Sequence, residues 1–251
     1  MWQWKSTAYL RLANRFNLVD FAYAHRGLWT VNGPAENSLQ ACLDAAALGL
    51  GIEFDVRPSK DGVPIVFHDA TLDRMCGEAG RPENMLANDL IGIPLIGGGT
   101  LIALETLLDA WPQSAPLLCE MKIDGRTDPV SFAQTVSALL SSHRGPAACM
   151  SFSRRAVAAL PAELMRGQLI AATHETGISD PASTPSVPVD YLACHVSDAR
   201  HPSLQSARRD LPVITWTVRS EVECADLSSV TDSQIFEGFD PTLAKRHILN
   251  R

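Results

Sequence analysis

The stretch IEFDVRPSKDGVPIVFHD, residues 52–69, decides how this chain is read. Glu53 and Asp55 alternate with Ile52, Phe54 and Val56. Successive strand side chains point to opposite faces, so the two carboxylates share one face, with Cα atoms about 6.5–7 Å apart, and the apolar residues take the other. That acidic face is either open to water or built to bind something. Asp61-Gly62 is a two-residue turn signal. Pairing outward from such a turn sets His68 directly opposite Asp55, where Cβ atoms lie roughly 4.5–5.5 Å apart. Pro58 and Pro64 weaken the ladder and mark an exposed ribbon. The chain is therefore expected to pass two acids, turn, and bring an imidazole back to them.

Outward from this stretch, short apolar strands alternate with helical segments. FAYAH (21–25) precedes NSLQACLDAAALG, which Asn37 or Ser38 can cap, and GIEFDV (51–56) follows. Then come a helix near 103–110, strand PLLCEMK (116–122), a helix over about 128–142, and strand AACMSF (147–152). The strands RGQLIAA (166–172), VDYLACH (189–195), VITWTV (213–218) and SQIFEGF (233–239) complete the series, with helices between most of them. About eight strands separated by helices favour a parallel TIM (β/α)8 barrel. A doubly wound sheet is the competitor, but no GxGxxG follows the first strand. The expected organisation is an N-terminal helical extension (1–20) and a single barrel domain (21–251), interrupted by a Gly-rich insertion at about 69–102 after the second strand region. The end of the insertion is apolar, as in a packed lid, and Gly97-Gly98-Gly99 reads as a turn, since no Gly-Lys-Ser/Thr follows it.

The 251 residues are 46% apolar, enough for a well-buried core, and carry a formal charge of −7, which argues against a nucleic-acid partner. No apolar run is long enough to cross a membrane. The N-terminus lacks a signal-peptide pattern, and six cysteines are scattered without a framework, so a cytoplasmic location is expected. Trp4, Ala8, Leu12 and Phe16 fall on one helical stripe, which either packs against the domain or makes weak contact with a membrane surface.

Two further segments carry the pattern of residues 52–69. LLCEMK puts Glu120 and Lys122 on one strand face, where they either pair with each other or serve a site. AHRG puts His25 and Arg26 at the end of the first strand, with Gly27 allowing a tight exit. Groups at the carboxyl ends of several barrel strands meet at one mouth. Glu53, Asp55 and Glu120 form a hard oxygen donor set suited to Mg²⁺ or Ca²⁺. His25 and His68 can serve as general acid and base, and Arg26 with Lys122 can hold a phosphate. His143, His174, His195, His201 and His247 lack motif context and read as surface or structural residues. GxSxG and HExxH are both missing, which leaves serine-hydrolase and zincin chemistry without support.

Together AHRG, ENS, IEFDV, DGVPIVFHDATLDRMCG and CEMK resemble the glycerophosphodiester phosphodiesterase family, densely over 24–77 with 116–122 as a further anchor. The resemblance implies a TIM barrel with a small insertion. It also implies Glu53, Asp55 and Glu120 as ligands of a divalent metal, His25 and His68 as the acid/base pair, and Arg26 and Lys122 on the phosphoryl oxygens. Asn37 would arrange the site and Trp216 would pack on the glycerol or alcohol part. The implied reaction is metal-dependent cleavage of a small-molecule glycerophosphodiester to glycerol 3-phosphate and an alcohol. Two departures from the family pattern stand out. Ala35 separates Pro34 from Glu36, and the last strand reads SQIFEGFDP, leaving Glu237 as the acid at that place. A lysophospholipase D-type activity would need an apolar groove, for which Leu28, Trp29, Ile91, Ile93, Leu95 and Ile96 are available. A non-catalytic barrel that binds a phosphorylated ligand is the alternative from another class.

Overall fold

The computed structural model describes residues 15–171 and 187–250. Among them nine strands form one sheet: β1 (Tyr23–His25), β2 (Gly51–Pro58), β3 (Pro64–Val66), β4 (Leu117–Met121), β5 (Ala147–Ser151), β6 (Met165–Ile170), β7 (Tyr191–His195), β8 (Val213–Val218) and β9 (Ser233–Phe236). All but β3 run parallel to their neighbours. Because β1 pairs with both β9 and β2, the eight parallel strands close into the expected TIM barrel. The helices are α1 (Leu39–Ala47), α2 (Asp73–Cys76), α3 (Ala87–Leu90), α4 (Leu104–Ala110), α5 (Pro129–Ser142), α6 (Arg154–Ala159), α7 (Pro202–Ala207), α8 (Glu221–Leu227) and α9 (Pro241–Leu249).

Local sequence accounts for the helix starts. Ser38, not Asn37, caps α1 by accepting from the Ala41 amide. Asp128 caps α5 ahead of Pro129, whose missing N–H costs nothing in a first turn. Phe132, Ala133, Val136 and Leu140 then recur at helical spacing and are all buried. They join Phe54, Val56, Leu107, Cys119 and Cys149 in the layer between helices and barrel wall.

Inside the barrel the alternate residues fill the axis. A Cβ at Gly51 would lie 2.6 Å from the Tyr23 ring, and one at Gly167 would overlap the Tyr191 ring. Two tyrosines thus occupy room that two glycines leave, and they seal the amino-terminal half of the barrel with Leu118, Ile214 and Ile235. Of the expected N-terminal helix, residues 1–14 lie outside the described residues. Leu18–Asp20 form a 3₁₀ turn, and the Leu18 carbonyl accepts from the Tyr23 hydroxyl at 2.8 Å.

The hairpin after β2 departs from the expected register. Val56 pairs with Val66, Arg57 with Ile65 and Pro58 with Pro64, and the Phe67 amide donates to the Asp55 carbonyl. Phe67, not His68, is therefore opposite Asp55. The cause is a three-residue turn, Lys60-Asp61-Gly62, closed by Ser59 and Val63, with Gly62 at φ +85°. β1 ends at His25, and β3 takes the edge of β2 that β1 leaves free beyond Glu53. The ribbon thus rises from the barrel mouth, and His68 follows at its root.

The insertion builds a small core of its own. Leu72, Met75, Leu90, Leu95 and Leu101 pack on Ile65 and Phe67 of the ribbon. The Asp61 carboxylate accepts from the Ala87 amide, tying the turn to α3. Gly97, Gly98 and Gly99 make the expected turn, with positive φ throughout.

Candidate active site

The groups at the carboxyl ends of β1, β2, β4 and β9 converge. Glu53, Asp55 and Glu120 are buried, and one oxygen of each lies within 4.8 Å of the others. The pairing of β2 with β4 sets Asp55 beside Glu120, and the pairing of β1 with β2 sets His25 beside Glu53. Lys122 Nζ reaches Glu120 at 2.7 Å and Asp55 at 3.0 Å, so it pairs with its strand neighbour and serves the site at once. Asn37 donates to Asp55 Oδ2 at 2.9 Å, and its own side-chain oxygen accepts from the Asp55 amide.

The loop after β1 is shaped for this. Arg26 and Asn37 both adopt left-handed backbone conformations, φ 57° and 58°, and the Asn37 amide donates to the Arg26 carbonyl. Non-glycine residues rarely sit there, and each such residue costs of order 1–3 kcal/mol. Gly27 is required, because a Cβ would come within 2.6 Å of the Ala41 carbonyl carbon. The sharp exit returns the Arg26 guanidinium to the mouth, 3.2 Å from Asp55 and 2.7 Å from Glu36.

His25 Nδ1 lies 2.5 Å from Glu237 Oε2, and its Nε2 faces Glu53 at 3.8 Å. Arg219 donates to the other Glu237 oxygen at 2.8 Å. His68 Nδ1 lies 2.7 Å from Asp69. His25, Arg26, Glu53, His68, Lys122 and Trp216 face a cavity of about 270 Å³ at the mouth. A second cavity of about 380 Å³ opens beside it and shares His68, Glu120 and Lys122. Trp216 is half-buried, donates to the Ala193 carbonyl at 3.2 Å and meets Phe152 edge to face.

Charge at the site is unevenly satisfied. Burial, with the Asp55 and Glu120 carboxylates close by, pushes Glu53 well above the usual carboxylate range. Burial also raises Glu120, against the opposing pull of Lys122. Asp55 feels the same burial, but Lys122 and Arg26 overcome it and hold the carboxyl well below its ordinary value. Burial lowers His25, and the hydrogen bond to Glu237 opposes it. Glu53 Oε2 is buried without a hydrogen bond. An orphaned carboxylate oxygen beside two others is a donor set short of a cation, and three carboxylates suit a hard divalent ion.

All nine residues singled out from the sequence gather at this mouth, except that Asn37 acts from behind Asp55. Sequence reasoning missed Arg57, Asp69, Arg74 and Arg219. Arg57 continues the alternation of Glu53 and Asp55 and could have been found by it; its Nε donates to the His68 carbonyl at 2.8 Å. Arg219 is placed only by the meeting of β8 and β9. The expected groove of Leu28, Trp29 and the insertion end does not form as such. Leu95 is buried in the insertion core, and Ile91 and Ile96 face outward. Leu28 and Trp29 instead line a cavity of about 520 Å³ with Val31, Phe236 and Phe239, next to Glu237.

Fold and site together define a TIM-barrel protein with an acid-lined mouth at the carboxyl ends of its strands. Residues 25–236 match the glycerophosphoryl diester phosphodiesterase family, and the chain belongs to that family. A 92-residue segment is 38% identical to "Probable glycerophosphodiester phosphodiesterase 2" of Mycobacterium tuberculosis, covering 36% of this chain and 34% of that protein. A 61-residue segment is 43% identical to glycerophosphodiester phosphodiesterase 1 of Rattus norvegicus, covering 24% and 18%. The matches thus span about a third or less of these relatives. A solved structure of an Oleispira antarctica phosphodiesterase, in complex with the product sn-glycerol-3-phosphate, superposes with a TM-score of 0.73 at 22% identity, covering 92% of this chain and 97% of that one. A Silicibacter pomeroyi chain named for the same activity gives 0.76 at 22% identity, covering 96% and 97%.

Proposed function

We propose that this chain hydrolyses glycerophosphodiesters to glycerol 3-phosphate and an alcohol, with a divalent cation, Mg²⁺ or Ca²⁺, held by Glu53, Asp55 and Glu120. The observation that carries the reading is the convergence of three buried carboxylates, one with an orphaned oxygen, between two imidazoles at one mouth. The glycerol-3-phosphate bound by the Oleispira relative supports the same chemistry here. The bound ion would neutralise phosphoryl charge and orient the nucleophile. Arg26 and Lys122, already anchored on Asp55, present their remaining N–H groups to phosphoryl oxygens. One histidine takes the proton of the nucleophile and the other gives one to the departing alkoxide. Glu237 and Asp69 each engage an Nδ1, which leaves Nε2 of both rings for the reaction. Trp216 forms an apolar wall for the glycerol part.

A second reading, lysophospholipase D-type activity, draws on the 520 Å³ cavity lined by Leu28, Trp29 and Phe239, which adjoins Glu237 and is mostly apolar in its lining residues. Cytoplasmic residence is supported by six free thiols, five of them buried.

Turnover of glycerophosphocholine, bis(p-nitrophenyl) phosphate and a lysolipid, with EDTA and with Mg²⁺, Ca²⁺ or Mn²⁺, tests both readings. Hydrolysis that EDTA abolishes is expected, together with losses of about 10²–10⁴ in His25→Ala and His68→Ala, the usual worth of general acid–base groups. Binding without turnover under every ion would instead leave a non-catalytic phosphate-binding barrel.

A further inference from the structure

Arg74, on the one-turn helix α2 of the insertion, grips two carboxylates of the site, although half of its side chain is exposed. One edge of the guanidinium grips Asp69: Nε donates to Oδ2 at 2.5 Å and NH2 to Oδ1 at 2.8 Å. The other edge grips Glu36: NH1 donates to Oε2 at 2.9 Å and NH2 to Oε1 at 2.7 Å. Each carboxylate is itself bound to a residue of the mouth. Asp69 Oδ1 meets His68 Nδ1 at 2.7 Å, and Glu36 Oε1 accepts from Arg26 NH1 at 2.7 Å. The chain of contacts is therefore His68–Asp69–Arg74–Glu36–Arg26, and Arg74 is its only member outside the barrel mouth and its flanking loops.

A carboxylate next to a histidine can turn about its own side-chain torsions and would orient the ring only loosely. Clamped by two parallel N–H groups, it has one orientation, and with it the imidazole has one. The same holds for Glu36 and the Arg26 guanidinium. We propose that Arg74 is the positioning residue of this site. It fixes His68 through Asp69 and Arg26 through Glu36, so that the insertion sets the spacing between the proton-transfer group and the phosphate grip. This rests on the roles given to His68 and Arg26 above. Only arginine fits, because two pairs of hydrogen bonds on adjacent edges that share NH2 need a planar fork, and a lysine ammonium is a single point of charge.

The two arms make separate kinetic predictions. Asp69→Asn cuts only the His68 arm and lowers kcat with little change in KM. Glu36→Gln cuts only the Arg26 arm and raises KM with a smaller change in kcat. Arg74→Gln does both, lowering kcat and raising KM by about 10-fold or more each, in line with the loss of an orienting partner. Arg74→Lys recovers less than half of either loss in logarithmic terms. Arg74→Gln on top of Asp69→Asn costs no more further kcat than Glu36→Gln costs by itself. The nitrogen spectrum of His68 gives a readout independent of turnover: a fixed Nδ1–H tautomer in the wild type and an exchange-averaged ring in Arg74→Gln. A folded Arg74→Gln with wild-type kcat, KM and His68 spectrum overturns the proposal, and so does full rescue by lysine. If Arg74→Gln does not fold, an unchanged kcat in Asp69→Asn together with an unchanged KM in Glu36→Gln overturns it equally. His68→Ala is the control: wild-type turnover there removes the role of His68 itself, a failure distinct from a silent Arg74→Gln beside an inactive His68→Ala.

Discussion

Replacing Lys122 with methionine tests the charge balance on which the site depends. Lys122 neutralises Asp55 and Glu120 at 3.0 and 2.7 Å, and both carboxylates are almost fully shielded from water. Methionine keeps the stem and volume but leaves two acids facing each other beside a third. Removing one partner of a buried pair costs about 3–5 kcal/mol, because the other charge is left uncompensated. For a chain of this size each kcal/mol moves the midpoint of thermal unfolding by about 2–4 °C, so a loss of roughly 6–20 °C is expected in EDTA. The pH dependence has a definite sign. A carboxyl whose folded pKa is raised, as burial raises Glu120, contributes stability below its unfolded pKa and loses it as pH rises through the folded value. Lys122 opposes that rise and also depresses Asp55, so its removal lifts Glu120 further and lets Asp55 rise from its depressed value. The deficit of the variant is therefore smaller near pH 5 than near pH 8. A divalent cation supplies positive charge at the same carboxylates: at a hundredfold excess over its dissociation constant it stabilises the protein that binds it by about 2.7 kcal/mol. Thermal unfolding followed by circular dichroism at both pH values, with EDTA and with Mg²⁺ or Ca²⁺, reads all of this. A loss under about 1 kcal/mol near pH 8, or an equal loss at both pH values, would refute the charge argument. An unfolding midpoint that the ion raises in neither protein would refute the cation site.

Three other expectations follow from the barrel. Gly167→Ala drives a methyl group into the Tyr191 ring and destabilises the fold by about 1–3 kcal/mol, as overpacking does, which chemical denaturation measures. Tyr23→Phe loses the bond to the Leu18 carbonyl, about 1 kcal/mol. Tyr191→Phe removes a buried hydroxyl that has no partner among the described residues, so it is neutral or stabilising in the same assay; equal losses in the two variants would contradict this contrast. Burial, helped by Glu78 and Asp69, pushes the Cys76 thiol up to about 11, so about one molecule in a thousand carries the thiolate at pH 8. A disulfide reagent should therefore modify native protein slowly, at Cys76 first, and all six thiols once unfolded; rapid reaction of two or more native thiols would count against it.

Much of this architecture was legible in the chain. Alternation of Glu53 and Asp55 with Ile52, Phe54 and Val56 required a strand with one polar face, and a barrel interior near its mouth is where such a face is useful. The strand and helix order followed from apolar runs and from caps such as Asp128-Pro129. Local chemistry also marked His25, Arg26, Glu120 and Lys122, because strand ends are set by sequence-adjacent turns. What local chemistry did not decide was register and long-range contact. Turn residues Asp61-Gly62 are compatible with both two- and three-residue turns, and the longer one won because Ser59 and Val63 close it and the Asp61 carboxylate binds α3. His68 reaches the acids from the root of the ribbon, not from across the ladder. Arg219 meets Glu237, and Arg74 joins Asp69 to Glu36, only because the barrel closes and the insertion folds on its own core. Periodicity is written within a few residues of each position and can be read directly. Which distant carboxylate an arginine finds depends on closure of the whole sheet, and no single stretch of sequence carries that.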